Sequence, residues 1–138
     1  MDGSHLDNLV RIGQLREEPP DEHELNSLVQ SAEARLADAG NEALHIESRF
    51  DLAYNAAHAI SLAALRWHGY RAQQRYLVFQ CLEVTLDIPP EQWRVLADAH
   101  RRRNNAEYEG IIEIEEPLVE AMLRVTSGAL EGLRRRID

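Results

Sequence analysis

Phe50-Asp51-Leu52-Ala53-Tyr54-Asn55-Ala56-Ala57-His58-Ala59-Ile60-Ser61-Leu62-Ala63-Ala64-Leu65 is the stretch whose period decides the fold. Phe50, Ala53, Tyr54, Ala57, Ile60, Ser61, Ala64 and Leu65 recur at steps of three and four, the spacing of one apolar stripe on a helix. The pattern predicts a helix over about Asn41 to His68, and Gly69 stands where such a helix would stop. At ~1.5 Å per residue it is roughly 40 Å long, the spine of the domain.

Similar patterns lie on both sides. Leu6, Leu9, Val10, Ile12 and Leu15 approximate a short helix from Leu6 to about Arg16, ended by Glu17-Glu18-Pro19-Pro20. Asp21 reads as an N-cap, with Glu24 three residues on completing a capping box. The helix it opens presents Leu25, Leu28, Val29, Ala32 and Leu36 and stops near Gly40. Downstream, Tyr76, Leu77, Phe79, Leu82 and Val84 mark a helix from about Gln73 to Leu86, broken by Asp87-Ile88-Pro89-Pro90. A fifth runs from about Glu91 to Glu109 and closes at Gly110. The last starts near Glu115 with Pro117 in its first turn, carries Leu118, Ala121, Met122, Val125, Leu130 and Leu133, and ends in Arg134-Arg135-Arg136. Ile111-Ile112-Glu113-Ile114, the only β-branched run, is too short to argue for a sheet. The expected fold is all-α: an up-and-down four-helix bundle with one or two extra N-terminal helices.

Composition sets outer bounds. A chain of 138 residues with 44% hydrophobic and 28% charged residues suits one globular domain, taken here as residues 6–138. Residues 1–5 read as a tag or a disordered start. No apolar run approaches a membrane span and no signal segment opens the chain, so a cytoplasmic protein without membrane contact is expected. Lone Cys81, among Phe79, Leu82 and Val84, reads as a buried small hydrophobe. Fifteen basic residues, all Arg, against 24 acidic ones give a net charge of −9. That balance excludes a general nucleic-acid coat, and any RNA contact must come from a local patch.

Such a patch stands at Asp98-Ala99-His100-Arg101-Arg102-Arg103-Asn104-Asn105-Ala106-Glu107-Tyr108-Glu109-Gly110, where the apolar rhythm yields to polar groups. Arg103 with Glu107 and Asn104 with Tyr108 are i,i+4 neighbours on the helix surface. A guanidinium fork, an amide and a phenol together can bind phosphate and stack a base. Arg101, Arg102, Arg103, Asn104 and Tyr108 are therefore the candidate RNA- or nucleotide-binding residues. An ordinary solvated helix end with an Arg–Glu pair is the plain alternative.

The long helix ending at Gly69-Tyr70, the shorter helix, the Pro loop and then Arg103-Asn104 followed by Tyr108 resemble the HEPN superfamily (higher eukaryotes and prokaryotes nucleotide-binding domain). Phe50-Asp51-Leu52-Ala53-Tyr54-Asn55-Ala56-Ala57-His58 is similar to that family's Ala- and aromatic-rich helix. The resemblance covers residues 47–136. It implies a four-helix bundle that dimerises, in bacterial toxin–antitoxin or defence systems, with RNase activity independent of metal in many members. It also implies a nucleotidyltransferase or antitoxin partner, and the small residues of the long helix suggest a dimer face. The family's catalytic signature is an Arg, a polar residue, and a His after four to six residues. Arg103 and Asn104 match its start, whereas Tyr108-Glu109-Gly110 occupy the window where the His would fall.

Cleavage of RNA needs a base for the 2′-OH proton and a cation for the phosphorane, roles suited to His and Arg. Tyr108 is a poor base near neutrality, Glu107 serves only if burial raises its pKa, and His100 or His58 could enter from a neighbouring helix. Arg94 with His100 also fits the spacing, but Val95 follows the Arg. The expectation is thus a non-catalytic dimeric nucleotide- or RNA-binding or interaction module. The alternatives are a metal-independent RNase using Arg103, Asn104, His100, Glu107 and Tyr108, and a purely structural helical protein. No cofactor or metal is expected. His45, His58 and His68 lack helical pair spacing, and Glu113, Glu115, Glu116 and Glu120 lack repeated Glu-x-x-His companions, Glu42 and His45 forming one such pair.

Overall fold

Caps and turns fix where each helix runs. The computed structural model describes residues 3–110 and 114–138, with the backbone alone at 3, 4 and 107–109. Asp21 caps the helix α2 (Glu22–Ala39), its carboxylate accepting the N–H groups of His23 at 2.9 Å and Glu24 at 3.4 Å. The reciprocal half of the expected capping box is not made, because the Glu24 carboxylate binds arginines instead. The spine is α3 (Ile46–Trp67), shorter than expected at its start. Asn41 Oδ1 accepts the Ala43 N–H at 3.0 Å, a local turn that competes with helix. Gly69, at φ +92°, lets the chain reverse after it.

The structure departs from the expected elements in three places. The first helix, α1 (Gly3–Arg11), ends early, and Leu15 enters a strand, β1 (Leu15–Glu17). It pairs antiparallel with β2 (Tyr70–Ala72), Leu15 opposite Ala72 and Glu17 opposite Tyr70. The expected helix over Gln73–Leu86 is two pieces, α4 (Arg75–Gln80) and α5 (Leu82–Thr85), divided at Cys81. Leu77, Val78 and Phe79 are buried in succession, so α4 is enclosed on several sides rather than laid along a surface. The remaining helices are α6 (Pro90–Glu109), closed by Gly110 at φ +71°, and α7 (Glu116–Ile137), with Pro117 in its first turn. Ile111–Glu113, most of the β-branched run, lies outside the described residues.

Among the described residues the fold is an all-α bundle with a small two-stranded ribbon. Helix α3 packs against α2, α7, α4 and α6. Its alanines 53, 56, 57, 59, 63 and 64 are all buried within the chain, so the small-residue face is a seam of the core and not an outer dimer surface. A second cluster joins Leu6 of α1 and Leu15 of β1 to Leu65, Leu77 and Cys81. Arg66, 2% exposed, binds this edge down: it donates to Glu24 at 2.7 Å and to the carbonyls of Glu18 and Pro19 at 2.8 and 2.7 Å. Arg71 adds bonds to Glu18 at 2.9 Å and Glu24 at 2.7 Å. Among the described residues no helix is long and apolar enough to cross a membrane.

Candidate functional site

One turn and a third of α6 sets up the site. His100, Arg103 and Asn104 stand at i, i+3 and i+4, hence on one face. That face meets Tyr54 of α3 and Arg75, the first residue of α4, around a cavity of about 220 Å³ lined by these five side chains. The Tyr54 ring is buried, 1% exposed, stacked beside Phe50 and edge-on to Phe79. Two guanidinium groups sit over it: Arg103 at 4.6 Å and Arg75 at 5.8 Å from the ring centroid. Both distances are within the range of a cation–π contact.

His100 is gripped at both ring nitrogens. Nδ1 lies 2.9 Å from Tyr54 Oη and Nε2 lies 3.1 Å from Asn104 Nδ2. Which ring nitrogen donates in these two contacts depends on the tautomer of the imidazole. A His so placed orients its neighbours, and it acts as a base only after Asn104 leaves Nε2.

His58, half-buried one turn along α3 from Tyr54, is pushed down to about 4, chiefly by burial and then by the charges of Arg75, Arg103 and His100. Among the described residues lining the cavity none is a carboxylate. Two other cavities differ: one between α6 and α7 mixes Glu91 with Arg124, and one at the ribbon holds Glu17 and Glu18. Two guanidinium groups, an amide, an imidazole and a phenol lining one small volume suit an oxyanion.

Of the residues singled out in the sequence, Arg103, Asn104 and His100 come together here. Arg101 and Arg102 do not line the cavity; both pair with Asp98 on the same helix. The side chains of Glu107 and Tyr108 lie outside the described residues. Arg94 covers the Trp93 ring instead. Glu116 and Glu120 bind buried Arg49 at 2.8 and 3.5 Å, which accounts for them without a metal. Among the described residues no group of three metal-ligating side chains forms. Cys81 is buried in the second cluster, its thiol pushed up to about 12 by burial.

Sequence reading missed Tyr54 and Arg75 as site residues. Tyr54 carries the helical period of the core, and nothing local ties Arg75 to a group 28 residues further on (75 to 103). Tyr76, read as part of an apolar face, is 48% exposed. Comparison with protein-family models, curated proteins and solved structures finds no match to this chain.

Proposed function

We propose that the chain is a phosphate-binding module for a nucleotide or RNA, working without cleavage. The observation that carries the reading is that Arg75 and Arg103 both lie over the Tyr54 ring and line one cavity with His100 and Asn104. An oxyanion in this cavity can accept hydrogen bonds from both guanidinium groups. Asn104 adds an amide, and His100 fixes the phenol and the amide around the anion. The resemblance to HEPN domains supports the same ligand class and a dimer. Dimerisation through a surface other than the alanines of α3 would set two such clusters in one cleft. A toxin–antitoxin or defence setting, with an antitoxin or nucleotidyltransferase partner, rests on that resemblance alone.

A second reading, a metal-independent RNase, has one observation in its favour: His100 shares the cavity with Arg103. In that case Arg103 stabilises the phosphorane and His100 takes the 2′-OH proton once Asn104 has moved. A single experiment addresses both readings. The protein and Arg103→Ala are incubated with a labelled RNA in EDTA, first for binding and then for cleavage. Binding weakened about tenfold or more in the variant, with intact RNA throughout, is the expected result. Cleavage by the unmodified chain that Arg103→Ala abolishes would replace this reading with the RNase. Binding equal in both proteins would remove the site from either role.

A further inference from the structure

The cavity is an open cleft of about 220 Å³, small beside the ~300–1,000 Å³ of pockets that enclose whole small organic ligands, and this suits a phosphate group with the rest of the molecule outside. What lies at the rim then decides which phosphate-bearing ligands are preferred. Arg75 lines the cavity, and the next residue, Tyr76, is a large ring left 48% exposed on the same short helix. Its centroid is 6.4 Å from that of His100, which lines the same cavity, and the two rings are tilted by 55° rather than stacked on each other.

An exposed aromatic ring is costly to leave against water beside buried neighbours. The residues that follow it, Leu77, Val78 and Phe79, are all buried, so α4 is firmly seated and Tyr76 is presented on a fixed support. A ring held in this way loses little conformational freedom on binding a flat partner.

We infer that Tyr76 is a base-stacking platform, so that the site selects nucleoside phosphates over other phosphate monoesters. The phosphate sits between Arg75 and Arg103, and the base lies on the outer face of Tyr76. This rests on the phosphate-binding reading above and adds the part that discriminates among phosphates. Stacking on a ring face needs no particular base edge, so the preference is for a base as such and not for a sequence. The phenol oxygen plays no part.

Calorimetric titration of the full chain with adenosine 5′-monophosphate, ribose 5-phosphate and inorganic phosphate tests the platform. The first two share a sugar and a phosphate monoester and differ in the base. The nucleotide is expected to bind about tenfold more tightly than the sugar phosphate. Tyr76→Ala should erase that difference and leave ribose 5-phosphate affinity unchanged, while Tyr76→Phe keeps it. Because the side chain is exposed, all three proteins should melt together, which separates lost stacking from lost folding. Equal affinity for the two ligands in the unmodified chain would overturn the platform, as would an undiminished preference in Tyr76→Ala. Either result with phosphate binding still dependent on Arg103 leaves the anion site standing. If none of the three ligands binds, or their binding ignores Arg103→Ala, the anion site falls and the platform with it. A short oligoadenylate separates the two sources of such a ligand. Tighter binding than the mononucleotide, still sensitive to Tyr76→Ala, marks an RNA strand, and equal or weaker binding marks the free nucleotide.

Discussion

At the scale of single residues, His58 reports on the site without touching the ligand. Its ordinary value near 6.5 is lowered to about 4 by burial first and by Arg75, Arg103 and His100 next. The sign follows directly. Above pH 6.5 both folded and unfolded chains hold a neutral His58, and stability does not depend on it. Between about 6.5 and 4 the unfolded chain takes the proton and the folded one does not, so stability falls as pH falls, by no more than about 3 kcal/mol. An anion bound between the two arginines offsets their field. Saturating phosphate should therefore raise the His58 titration midpoint, read from its imidazole NMR signals, and Arg103→Ala should raise it without phosphate. A midpoint unmoved by both would mean that burial alone holds it down. Cys81 gives a second check on the packing. Buried and pushed up to about 12, its thiol should resist alkylation at pH 8 in the folded chain and react once denaturant is added.

At the scale of elements, the support under the site is α4, and α4 is held from behind. Its Arg75 lines the cavity, while Leu77 packs with Leu6 and Leu15 of the N-terminal segment. That segment is tied down by Arg66, whose guanidinium joins Glu24 to the carbonyls of Glu18 and Pro19. Arg66→Met removes the charge and leaves two carbonyls without their donor, which should cost about 3–5 kcal/mol in urea denaturation. Arg134→Ala, which breaks an exposed pair with Glu33, should cost less than about 1 kcal/mol. Glu18 and Glu24 are both held below the usual carboxylate value, chiefly by hydrogen bonds from Arg71. Their contribution is present above pH 4.5 and is lost as pH falls through their lowered values, so the ribbon edge should loosen first in acid, seen as faster amide exchange at Leu15–Glu17. The sequence makes α2, α3, α6 and α7 legible because their caps and apolar periods are local: Asp21, Gly69, Gly110 and Pro117 each act within one turn. It does not reveal β1 and β2. Three residues each carry no period, and they exist because Arg66 and Arg71 reach back to Glu18 and Glu24 across more than forty residues. The site divides in the same way: His100, Arg103 and Asn104 share a helix and could be read together, whereas Tyr54 and Arg75 join them only through tertiary packing.

At the scale of the whole molecule, a net charge of −9 surrounds a small positive cavity, and the two act on a phosphate chain over different distances. Far from the surface an RNA strand meets repulsion, which salt screens with a Debye length of about 30 Å at 0.01 M and 10 Å at 0.1 M. Close to the cavity it meets Arg75 and Arg103, whose contacts release counterions and weaken as salt rises. Two such contacts on a single strand would give a slope of log K against log salt of about −1.4, and relief of the global repulsion makes the observed slope shallower. Several other arginines are engaged by carboxylates: Arg101 and Arg102 share Asp98, Arg134 pairs with Glu33 and Arg136 with Asp87. Titrating a short labelled RNA between 0.02 and 0.2 M salt, values set on the order of that screening range, should thus give a slope no steeper than about −1.4, reduced by about half in Arg103→Ala. A slope near −3 or beyond would mean that several more arginines reach the strand than the cavity supplies. Sedimentation at the same salt concentrations completes the argument. A dimer that places two cavities in one cleft should double the number of contacts on a strand long enough to span them, steepening the slope in step with the dimer fraction, while a short strand keeps the single-site slope.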